Sequence, residues 1–553
     1  MTKRITSVLL IFVLLLAAAS CNRDKGRDAA LTAPIAQNPA QLDPQIAEGA
    51  AAEMVLNNSF EGLVRLGADG EILPGVAKSW NISADGKVYT FTLREDTHWY
   101  FSKANQSLFS EEEAERFAAL VTAQDFVFGL RRAVTPQIAA PFAQNLSLIR
   151  GAQESLSGKA SPNKIAVEAT GQFTLTITLT RASADFLRVL TTPVALPCNE
   201  VFYNAAKGRY GLDYTNLLCN GPFFVYRWDS EKSLTLRRNP NYRHNPDSEG
   251  KNEVLPASLT FVINPDTASY AEKLQSGTYA AAALWAESMG DAAQWADGFT
   301  VTKKPDRVLS LLFHCGNPLL KNTTLRIALV TALRREELTA ATAADSPAAG
   351  LIPPGCTLGS AAYRVQAGEA KFAAFSEKAA KASYQKALAE LGKTELRAKL
   401  LCPAEYETAL RQVLQRWQKV FGMSFQLSVE ITDTQTMEEQ VRSGDFALAL
   451  YPLNARQDLA LDFLQSFAAG APENLSRYNS KTYDGLLEKI RSAPSDEEAL
   501  RGCRQAEEHL LQNAVILPLF TRESLYVLGR GVSGVYFLPD GETICFLSGR
   551  FID

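Results

Sequence analysis

The apolar pattern between residues 396 and 451 switches repeatedly between the period of a strand and that of a helix. Leu396 to Cys402 alternates as a strand, and Tyr406 to Phe421 repeats apolar residues at the spacing of an amphipathic helix. Phe425 to Ile431 and Phe446 to Tyr451 follow as strands, the second a continuous apolar run typical of a buried strand. Strands that alternate with helices predict an α/β fold.

The chain is too long for a single hydrophobic core. It has 553 residues, whereas single cores stop growing beyond about 250–300 residues, so two or more domains are expected. An early region has a different pattern, because Asp69-Gly70 and Asp85-Gly86 each separate two short strand-like runs. Asp-Gly supplies the positive φ angles of a tight hairpin turn. The chain therefore combines a hairpin-rich part with an α/β part.

The first 21 residues determine the compartment. Lys3 and Arg4 form a positive segment, and Val8 to Leu16 is an apolar run too short to span a bilayer comfortably. Small residues then lead directly to Cys21, as in a bacterial lipobox. We predict a signal peptide at 1–20, lipidation of Cys21 and a lipidated tether over 21–41. The predicted location is the cell envelope, anchored to a membrane by lipid and facing the periplasm or the cell exterior. A plain signal peptide that contains a cysteine is the alternative.

Charge and hydropathy exclude two classes of protein. Loss of residues 1–20 removes Lys3 and Arg4, which leaves 54 basic and 60 acidic residues and a net charge of −6. A nucleic-acid-binding protein would need a clustered basic excess, so no nucleic-acid partner is predicted. No segment after the signal peptide has 18 uninterrupted apolar residues, so none is predicted to cross a membrane.

Seven cysteines remain besides Cys21. An odd number outside the cytoplasm leaves at least one free thiol. Cys198 and Cys219 are the first candidates for a disulfide, although spacing alone does not fix a pairing. The alternative is that all seven are buried as small apolar residues.

Catalytic and metal-binding motifs are missing from the sequence. The four histidines do not pair at metal-ligand spacing, and there is no H-E-x-x-H. Gly392-Lys393-Thr394 is similar to the end of a phosphate-binding loop, but Ala387 stands where that loop needs a glycine. No G-x-S-x-G nucleophile elbow is present. We therefore predict no enzymatic activity, no cofactor and no metal site.

A series of short segments resembles the oligopeptide- and dipeptide-binding proteins of bacterial ABC importers, which form solute-binding protein family 5. The segments keep the family's order and cover nearly the whole mature chain. They are Leu42–Pro44, Phe60–Leu63, Pro74–Ala77 with Trp80, Tyr89–Arg94 with Trp99, Val121–Phe126, Arg131–Ala133, Asn220–Phe223, Trp228, Asn239–Tyr242, Arg326 with Ala328, Tyr483-Asp484 with Leu486-Leu487, and Ile516–Leu519.

The resemblance implies an α/β fold of the periplasmic-binding-protein type II, a Venus flytrap with two mixed-sheet lobes and an extra hairpin-rich domain. It places lobe I at 42–60, 190–265 and 515–553, the extra domain II at 61–189, and lobe III at 266–514. It implies a monomeric receptor that binds a peptide or another small solute and delivers it to the permease subunits of an ABC transporter.

In the peptide binders of this family the ligand lies extended between two protein strands and pairs with them through its backbone. The first strand corresponds here to residues 50–52 and the second to residues 451–454. Phe142 and residues 283–285 fall where family members line the pocket, although core packing is the alternative for Phe142 and Trp285. The implied ligand-binding residues are Ala50, Ala51, Ala52, Phe142, Leu284, Trp285, Tyr451, Leu453 and Asn454.

The sequence departs from the family at the anchor for the ligand's α-amine. Family peptide binders have an aspartate just after the second strand, but an ungapped match puts Arg456 there, and Asp458 takes the role only if two residues are inserted. Leu450 replaces an arginine, and Pro452 lacks a backbone donor. A guanidinium prefers a carboxylate or phosphate partner, so the same fold binding an anionic or sugar-derived solute stays open as an alternative. A surface adhesin or signalling lipoprotein that kept the fold but not transport is the other alternative.

Overall fold

The structure is a computed structural model that describes residues 28–243, 254–285, 292–338, 345–359, 361–432, 434–455, 459–539 and 543–552. The predicted signal peptide, the lipidation site Cys21, Arg456 and Asp458 lie outside these residues. Within them, no helix has the length and apolar character needed to cross a membrane. The same ranges contain no group of three or more potential metal ligands.

Strands and helices are numbered here in chain order. The strands are β1 (Ala30–Ile35), β2 (Val64–Leu66), β3 (Ile72–Pro74), β4 (Ala77–Ile82), β5 (Val88–Leu93), β6 (Val167–Gly171), β7 (Thr174–Thr178), β8 (Phe223–Asp229), β9 (Ser233–Arg238), β10 (Ser258–Ile263), β11 (Ala281–Trp285), β12 (Thr300–Phe313), β13 (Asp345–Pro347), β14 (Thr357–Leu358), β15 (Ala361–Ala362), β16 (Leu396–Pro403), β17 (Phe425–Thr432), β18 (Leu448–Asn454), β19 (Ile516–Leu528), β20 (Val532–Ser533), β21 (Tyr536–Phe537), β22 (Ile544–Cys545) and β23 (Arg550–Phe551). The helices are α1 (Ala50–Ser59), α2 (Lys103–Gln106), α3 (Glu111–Glu115), α4 (Ala123–Ala133), α5 (Ala152–Leu156), α6 (Phe186–Val189), α7 (Glu200–Ala205), α8 (Tyr270–Gln275), α9 (Thr323–Thr331), α10 (Tyr363–Ala367), α11 (Glu377–Leu391), α12 (Glu407–Phe421), α13 (Thr434–Ser443), α14 (Ala460–Gln465), α15 (Lys481–Arg491) and α16 (Asp496–Gln512).

Lobe I is built on a four-stranded sheet in the order β1-β10-β9-β8, in which β1 runs parallel to β10. Leu31, Ala33 and Ile35 of β1 are buried, since every second residue of a strand faces the same side. The predicted tether over 21–41 is therefore wrong for Ala30–Ile35, which is part of the fold. Residues 30–35 contain small residues and Pro34, so they do not show the clear alternation of apolar and polar residues that predicts a strand.

Domain II contains a four-stranded antiparallel sheet in the order β4-β5-β7-β6. The two predicted Asp-Gly turns are present, with φ of 77° at Gly70 and 70° at Gly86. Helix α4 begins with a capping box in which Thr122 N donates to Asp125 Oδ2 over 2.7 Å. Apolar side chains of domain II and lobe I form one continuous core, so the hairpin-rich domain enlarges the first lobe.

Lobe III holds a seven-stranded sheet in the order β11-β19-β12-β18-β16-β17, with β13 added on β19. One apolar cluster, to which α9, α11 and α12 contribute, packs on one face, and another with α14, α15 and α16 packs on the other. Strand β12 was not predicted from the sequence, and residues 515–553 were predicted to belong to lobe I. That boundary is wrong, because β19 pairs with β11 and β12 of lobe III and the chain returns to lobe I only after Leu528.

Two segments connect lobe III to the first lobe, residues 264–280 before β11 and residues 529–531 after β19. They are hydrogen-bonded to each other, since Gly529 N donates to Ala280 O over 2.7 Å. Ala280 N also donates to Thr32 O of β1 over 2.7 Å. The two crossings therefore lie side by side against the edge of the lobe I sheet, where a hinge between the lobes would lie.

The seven cysteines in the described part of the chain are free, and all except Cys545 are buried. The candidate disulfide between Cys198 and Cys219 is therefore wrong. Burial raises the pKa of each of these two thiols to about 12, so both are held as protonated, weakly reactive thiols in the core.

Candidate ligand-binding cleft

Strand β18 ends at the boundary between the two lobes, and one of its two neighbouring ladders ends before the strand does. On one side it pairs with β12 along its whole length, from Phe313↔Leu448 to Arg307↔Asn454. On the other side the ladder with β16 consists of Leu400↔Leu448 and Leu401↔Ala449 and ends there. Residues 451–454 therefore extend past the end of the neighbouring ladder, and all four are half-buried.

This position suits a ligand for two reasons. Strands β16 and β18 are parallel, and ligands of open α/β sheets bind at the carboxyl ends of parallel strands. An edge of extended backbone can also add another extended chain through its peptide groups. Tyr451 and Leu453 pack partly against the apolar cluster that contains α14, α15 and α16. Contacts within lobe III therefore hold these two side chains in position.

A bulge in β12 lies beside the end of β18. The register with β19 shifts between Pro305 and Arg307, which leaves Asp306 in the bulge, and bulges of this kind re-aim side chains near binding sites. The Ser524 hydroxyl donates to Asp306 Oδ1 over 2.6 Å, and the Tyr526 hydroxyl donates to Asp306 Oδ2. Arg307 Nε donates to Ser524 Oγ over 3.1 Å. Asn454 is therefore adjacent, through Arg307, to a polar cluster of both charges.

The hydroxyl of Tyr526 stays protonated in this cluster. Burial and then the Asp306 carboxylate raise the pKa of Tyr526 far above its usual value. The Lys304 ammonium lies 5.6 Å from the centre of the Tyr526 ring. The cluster thus combines neutral donors, one carboxylate and two cations next to the end of β18.

Strand β11 brings another group of predicted site residues into the same sheet. Ala283 packs against the core of lobe I and domain II, whereas Leu284 points the other way. Leu284 is 4% exposed and packs with Tyr270 of the connecting segment 264–280 and with Trp295. Leu284 therefore faces the side opposite Ala283, because successive residues of a strand face opposite sides, and its contact with a ligand stays a prediction. Trp285 is registered opposite Ser524, and its side chain lies outside the described part of the structure.

The predicted strand at Ala50–Ala52 is wrong. These residues form the first turn of α1, which follows Gly49 with φ of 88°. Ala51 and Ala52 are buried in the lobe I core, whereas Ala50 is half-buried. The run Ala50–Leu56 lacks glycine and proline and contains strong helix formers, which favour the helix. Of the three alanines, Ala50 is the one that approaches the surface.

Phe142 precedes a short helical segment, Ala143–Leu148, that faces lobe III. The Phe142 ring packs on the core of lobe I and domain II. Three residues later, Asn145 Nδ2 donates to Asp462 Oδ1 of lobe III over 3.0 Å, and Gln465 Nε2 donates to Asn145 Oδ1 over 3.4 Å. Phe142 therefore stands beside a contact between the lobes.

A cavity of about 50 Å³ lies between domain II and lobe III at this contact. Its walls include Leu148 and Asp185 on one side and Leu459, Asp462 and Arg491 on the other. Leu459 directly follows the segment that contains Arg456 and Asp458, and it packs in the core cluster of lobe I and domain II. The lobes are therefore in contact next to the end of β18.

Sequence reasoning missed a second interlobe contact. Arg181 Nη1 lies 3.1 Å from Asp496 Oδ1, and Ala184 N donates to Asp496 Oδ2 over 3.3 Å. Asp496 opens helix α16 after the N-cap Ser495, a helix start that the sequence does signal. No pattern near Asp496 in the sequence indicates its partner Arg181, which is 315 residues away.

Comparison with known proteins identifies the family to which this chain belongs. A family model described as "Bacterial extracellular solute-binding proteins, family 5 Middle" matches residues 71–474. The chain belongs to this family. The membership and the two-lobed type II fold predicted from the sequence are both confirmed, and the chain is a solute-binding protein of the class that serves ABC importers.

Relatives in the family differ in what their names say they bind. The dipeptide-binding protein DppE of Bacillus subtilis is 25% identical over 515 residues, which is 91% of this chain and 88% of DppE. The probable deoxycholate-binding periplasmic protein YgiS of Escherichia coli is 26% identical over 513 residues, 90% of this chain and 89% of YgiS. The crystal structure of Haemophilus influenzae OppA in complex with RPPGFSPFR has a TM-score of 0.77 and 22% identity, and covers 95% of this chain and 99% of that one.

Proposed function

We propose that this solute-binding protein captures peptides outside the cytoplasm and hands them to the permease of an ABC transporter, without chemistry on the ligand. The observation that carries the proposal is the position of β18 at the boundary between the lobes, where the ladder with β16 ends at Ala449 while the strand continues to Asn454. A peptide that lies along this edge gains backbone hydrogen bonds, whereas a sugar or a lipid does not. The dipeptide-binding relative DppE supports the same class of ligand.

In this proposal the ligand lies between lobe III and the first lobe. Tyr451, Leu453 and Asn454 flank its backbone, and Phe142 and Ala50 face it from the first lobe. Closure about the two crossings encloses the ligand, and reopening at the permease releases it. Arg456 and Asp458 follow the strand directly in the sequence, and we propose that one of them contacts a charged terminus of the ligand.

The proposal is tested with three ligands that share side chains. Tri-alanine should raise the melting temperature of the purified protein, whereas tri-alanine methylated on its central backbone nitrogen should do so much less, because methylation removes a donor. N-acetyl-tri-alanine tests the terminal amine separately. Equal stabilisation by the first two peptides would contradict backbone pairing. In the same assay, Arg456→Ala and Asp458→Asn show whether either side chain contributes to affinity.

A non-peptide solute is the second candidate. YgiS, with its probable deoxycholate binding, matches this chain over nearly its whole length at an identity close to that of DppE, and Lys304 and Arg307 supply positive charge beside the end of β18. Deoxycholate added in place of the peptides provides the comparison. Stabilisation by deoxycholate and by none of the peptides would replace the peptide proposal. Mass spectrometry of small molecules released from the purified protein identifies the ligand directly.

We also propose that Cys21 carries the lipid anchor. The order of positive segment, apolar run and small residues before Cys21 supports it. The mass of the mature N-terminal peptide should correspond to an acylated Cys21, and Cys21→Ser should release the protein from the membrane fraction. A mature protein that starts at another residue would contradict this part of the proposal and leave ligand binding untouched.

A further inference from the structure

The described fold begins only seven residues after Cys21. Asp28 N donates to Leu255 O over 3.0 Å, and the Asp28 carboxylate lies 2.7 Å from Arg238 Nη2. Strand β1 then enters the lobe I sheet at Ala30. Seven residues reach at most about 25 Å when fully extended. A lipid on Cys21 would therefore hold this end of lobe I close to the membrane surface.

The outer face of the lobe I sheet starts at this point of entry. One row of paired residues crosses the sheet from Ala30 through Ser258 and Arg237 to Phe224. Three strand spacings separate its ends, about 14 Å. Ala30 and Arg237 are exposed and Ser258 and Phe224 are half-buried, so this end of the face is open to its surroundings.

Aromatic rings and arginines cluster at the far end of the row. The Arg237 guanidinium lies 3.4 Å from the centre of the Tyr226 ring, and Tyr226 is 44% exposed. The Phe224 ring stacks on Tyr100 with a centroid distance of 3.8 Å. Arg227 is exposed on the same strand. We define the aromatic–arginine patch as Tyr100, Phe224, Tyr226, Arg227 and Arg237.

The charge of this patch is uncompensated within the described residues, where neither Arg227 nor Arg237 forms an ion pair. Asp28, the acidic group at the point of entry, is paired with Arg238. The sequence between Cys21 and Asp28 adds Arg23, Lys25 and Arg27 against Asp24. Tyrosine rings concentrate at the headgroup level of membranes, and basic segments beside a membrane attract anionic lipids.

We propose that the aromatic–arginine patch rests on anionic lipid headgroups when the receptor is not engaged with its permease. The proposal rests on the lipid anchor at Cys21 proposed above. It gives lobe I a fixed orientation, in which the outer face of its sheet faces the membrane while lobe III extends away and remains free to close. The short connection to Cys21 brings this face, rather than lobe III, within reach of the lipid.

The test measures water accessibility at the patch in the acylated full-length protein. A nitroxide is placed at Ser258→Cys, in the middle of the row, and separately at Met423→Cys, which is 73% exposed on lobe III. Unsubstituted protein treated in the same way gives the background from Cys545. In vesicles of phosphatidylglycerol and phosphatidylethanolamine, collisions of the Ser258 label with a water-soluble nickel complex should fall at least threefold relative to detergent micelles. The Met423 label should be unaffected.

Variants separate lipid recognition from proximity. Arg237→Glu should restore the collision rate at Ser258, and Arg397→Glu, whose side chain is 71% exposed on lobe III, should not. Unchanged melting temperatures establish that both variants are folded. Equal shielding in phosphatidylcholine vesicles would contradict the recognition of anionic lipids. Shielding that appears only when the permease is present would show that the patch binds the permease and not the lipid.

Two further outcomes also decide the proposal. Absence of shielding in a protein whose Cys21 is acylated overturns it and leaves the anchor intact. An unmodified Cys21 overturns both the anchor and this orientation, whereas stabilisation by tri-alanine would still support the proposed capture of peptides.

Discussion

Arg181 of domain II and Asp496 of lobe III form an ion pair between the lobes, with Nη1 and Oδ1 3.1 Å apart. The Arg181 side chain is 12% exposed and that of Asp496 is 34% exposed. The same carboxylate also accepts a hydrogen bond from Ala184 N. Since the two charged groups belong to different lobes, the pair stabilises the contact between the lobes, and in the closing motion proposed above it would favour the closed arrangement.

Arg181→Gln is therefore expected to favour the open arrangement. Partly exposed pairs contribute about 0.5–1 kcal/mol, equivalent to a two- to fivefold weaker ligand affinity. Titration calorimetry with tri-alanine measures the affinity, and small-angle scattering of the ligand-free protein should show a larger radius of gyration. Arg116→Gln is the matched control, because Arg116 pairs with Glu112 within domain II and both side chains are largely exposed. An identical effect of the two variants would argue against a role in closure.

Asp185 should make the stability of the closed protein depend on pH. Burial raises the pKa of Asp185 to about 6, and Asp496 adds to the increase, whereas Gly359 N–H, Arg188 and Arg181 oppose it. A carboxyl whose pKa is raised in the folded state opposes folding above pH 6, and this penalty disappears as the pH falls from 6 towards 4. Asp185→Asn should therefore raise the melting temperature at pH 7.5, by on the order of 1–2 °C.

The gain from Asp185→Asn should shrink at pH 5.0, where the wild-type carboxyl is mostly protonated. Differential scanning calorimetry at the two pH values measures both effects. Asp69→Asn, in an exposed hairpin turn, controls for the loss of one negative charge. A lower melting temperature of Asp185→Asn at both pH values would show that the carboxylate is needed as an acceptor and contradict the prediction.

Removal of one charge from the buried pair of Asp43 and Arg132 should greatly lower the free energy of unfolding. Arg132 Nη1 lies 2.8 Å from Asp43 Oδ1 and also donates to Gln45, and the two charged side chains are 5% and 2% exposed. Asp43→Asn leaves a buried cation without its counter-charge, a change that costs about 3–5 kcal/mol. Urea unfolding of Asp43→Asn should show a large loss in the free energy of unfolding. Adding Arg132→Met should recover part of it, whereas Lys381→Gln, at an exposed helical pair, should have little effect.

Gly221 should tolerate no side chain. A Cβ at this position would lie 2.6 Å from Phe60 N and Ser59 C, which are backbone atoms that cannot move aside. Gly221→Ala should therefore destabilise lobe I by about 1–3 kcal/mol or more. Gly485 in α15 has no atom within 4 Å of its Cβ position, so Gly485→Ala should stabilise the helix by about 0.5–1 kcal/mol. Thermal unfolding of both variants checks the contrast.

The sequence predicted the elements whose signals are local. The Asp-Gly turns, the capping box of Thr122 and Asp125, and strands β16 and β17 were recognised because each pattern lies within about ten residues of chain. Strand β12 was missed because its first half carries Lys303 and Lys304 in exposed or half-buried positions. Only its pairing with β19 makes that half a strand.

In the candidate site, too, some features have local signals in the sequence and others depend on tertiary structure. The apolar run from Phe446 to Tyr451 identified β18, and the family resemblance predicted that this strand borders the ligand. Tertiary structure decides how far β18 extends past β16, because this depends on where the ladder between the two strands ends. The strand predicted at Ala50–Ala52 is a helix, and Leu284 is buried in lobe III, since family position alone does not say which face a residue presents.

By itself, the sequence determined the family, the two-lobed α/β fold and strand β18 of the candidate cleft, because these follow from patterns along the chain. Tertiary structure decided how the lobes meet. Arg181 and Asp496 are 315 residues apart, and Arg237 comes into line with Ala30 only through the pairing of three strands. Contacts of this kind leave no local trace, since burial and partner choice arise when distant segments pack together.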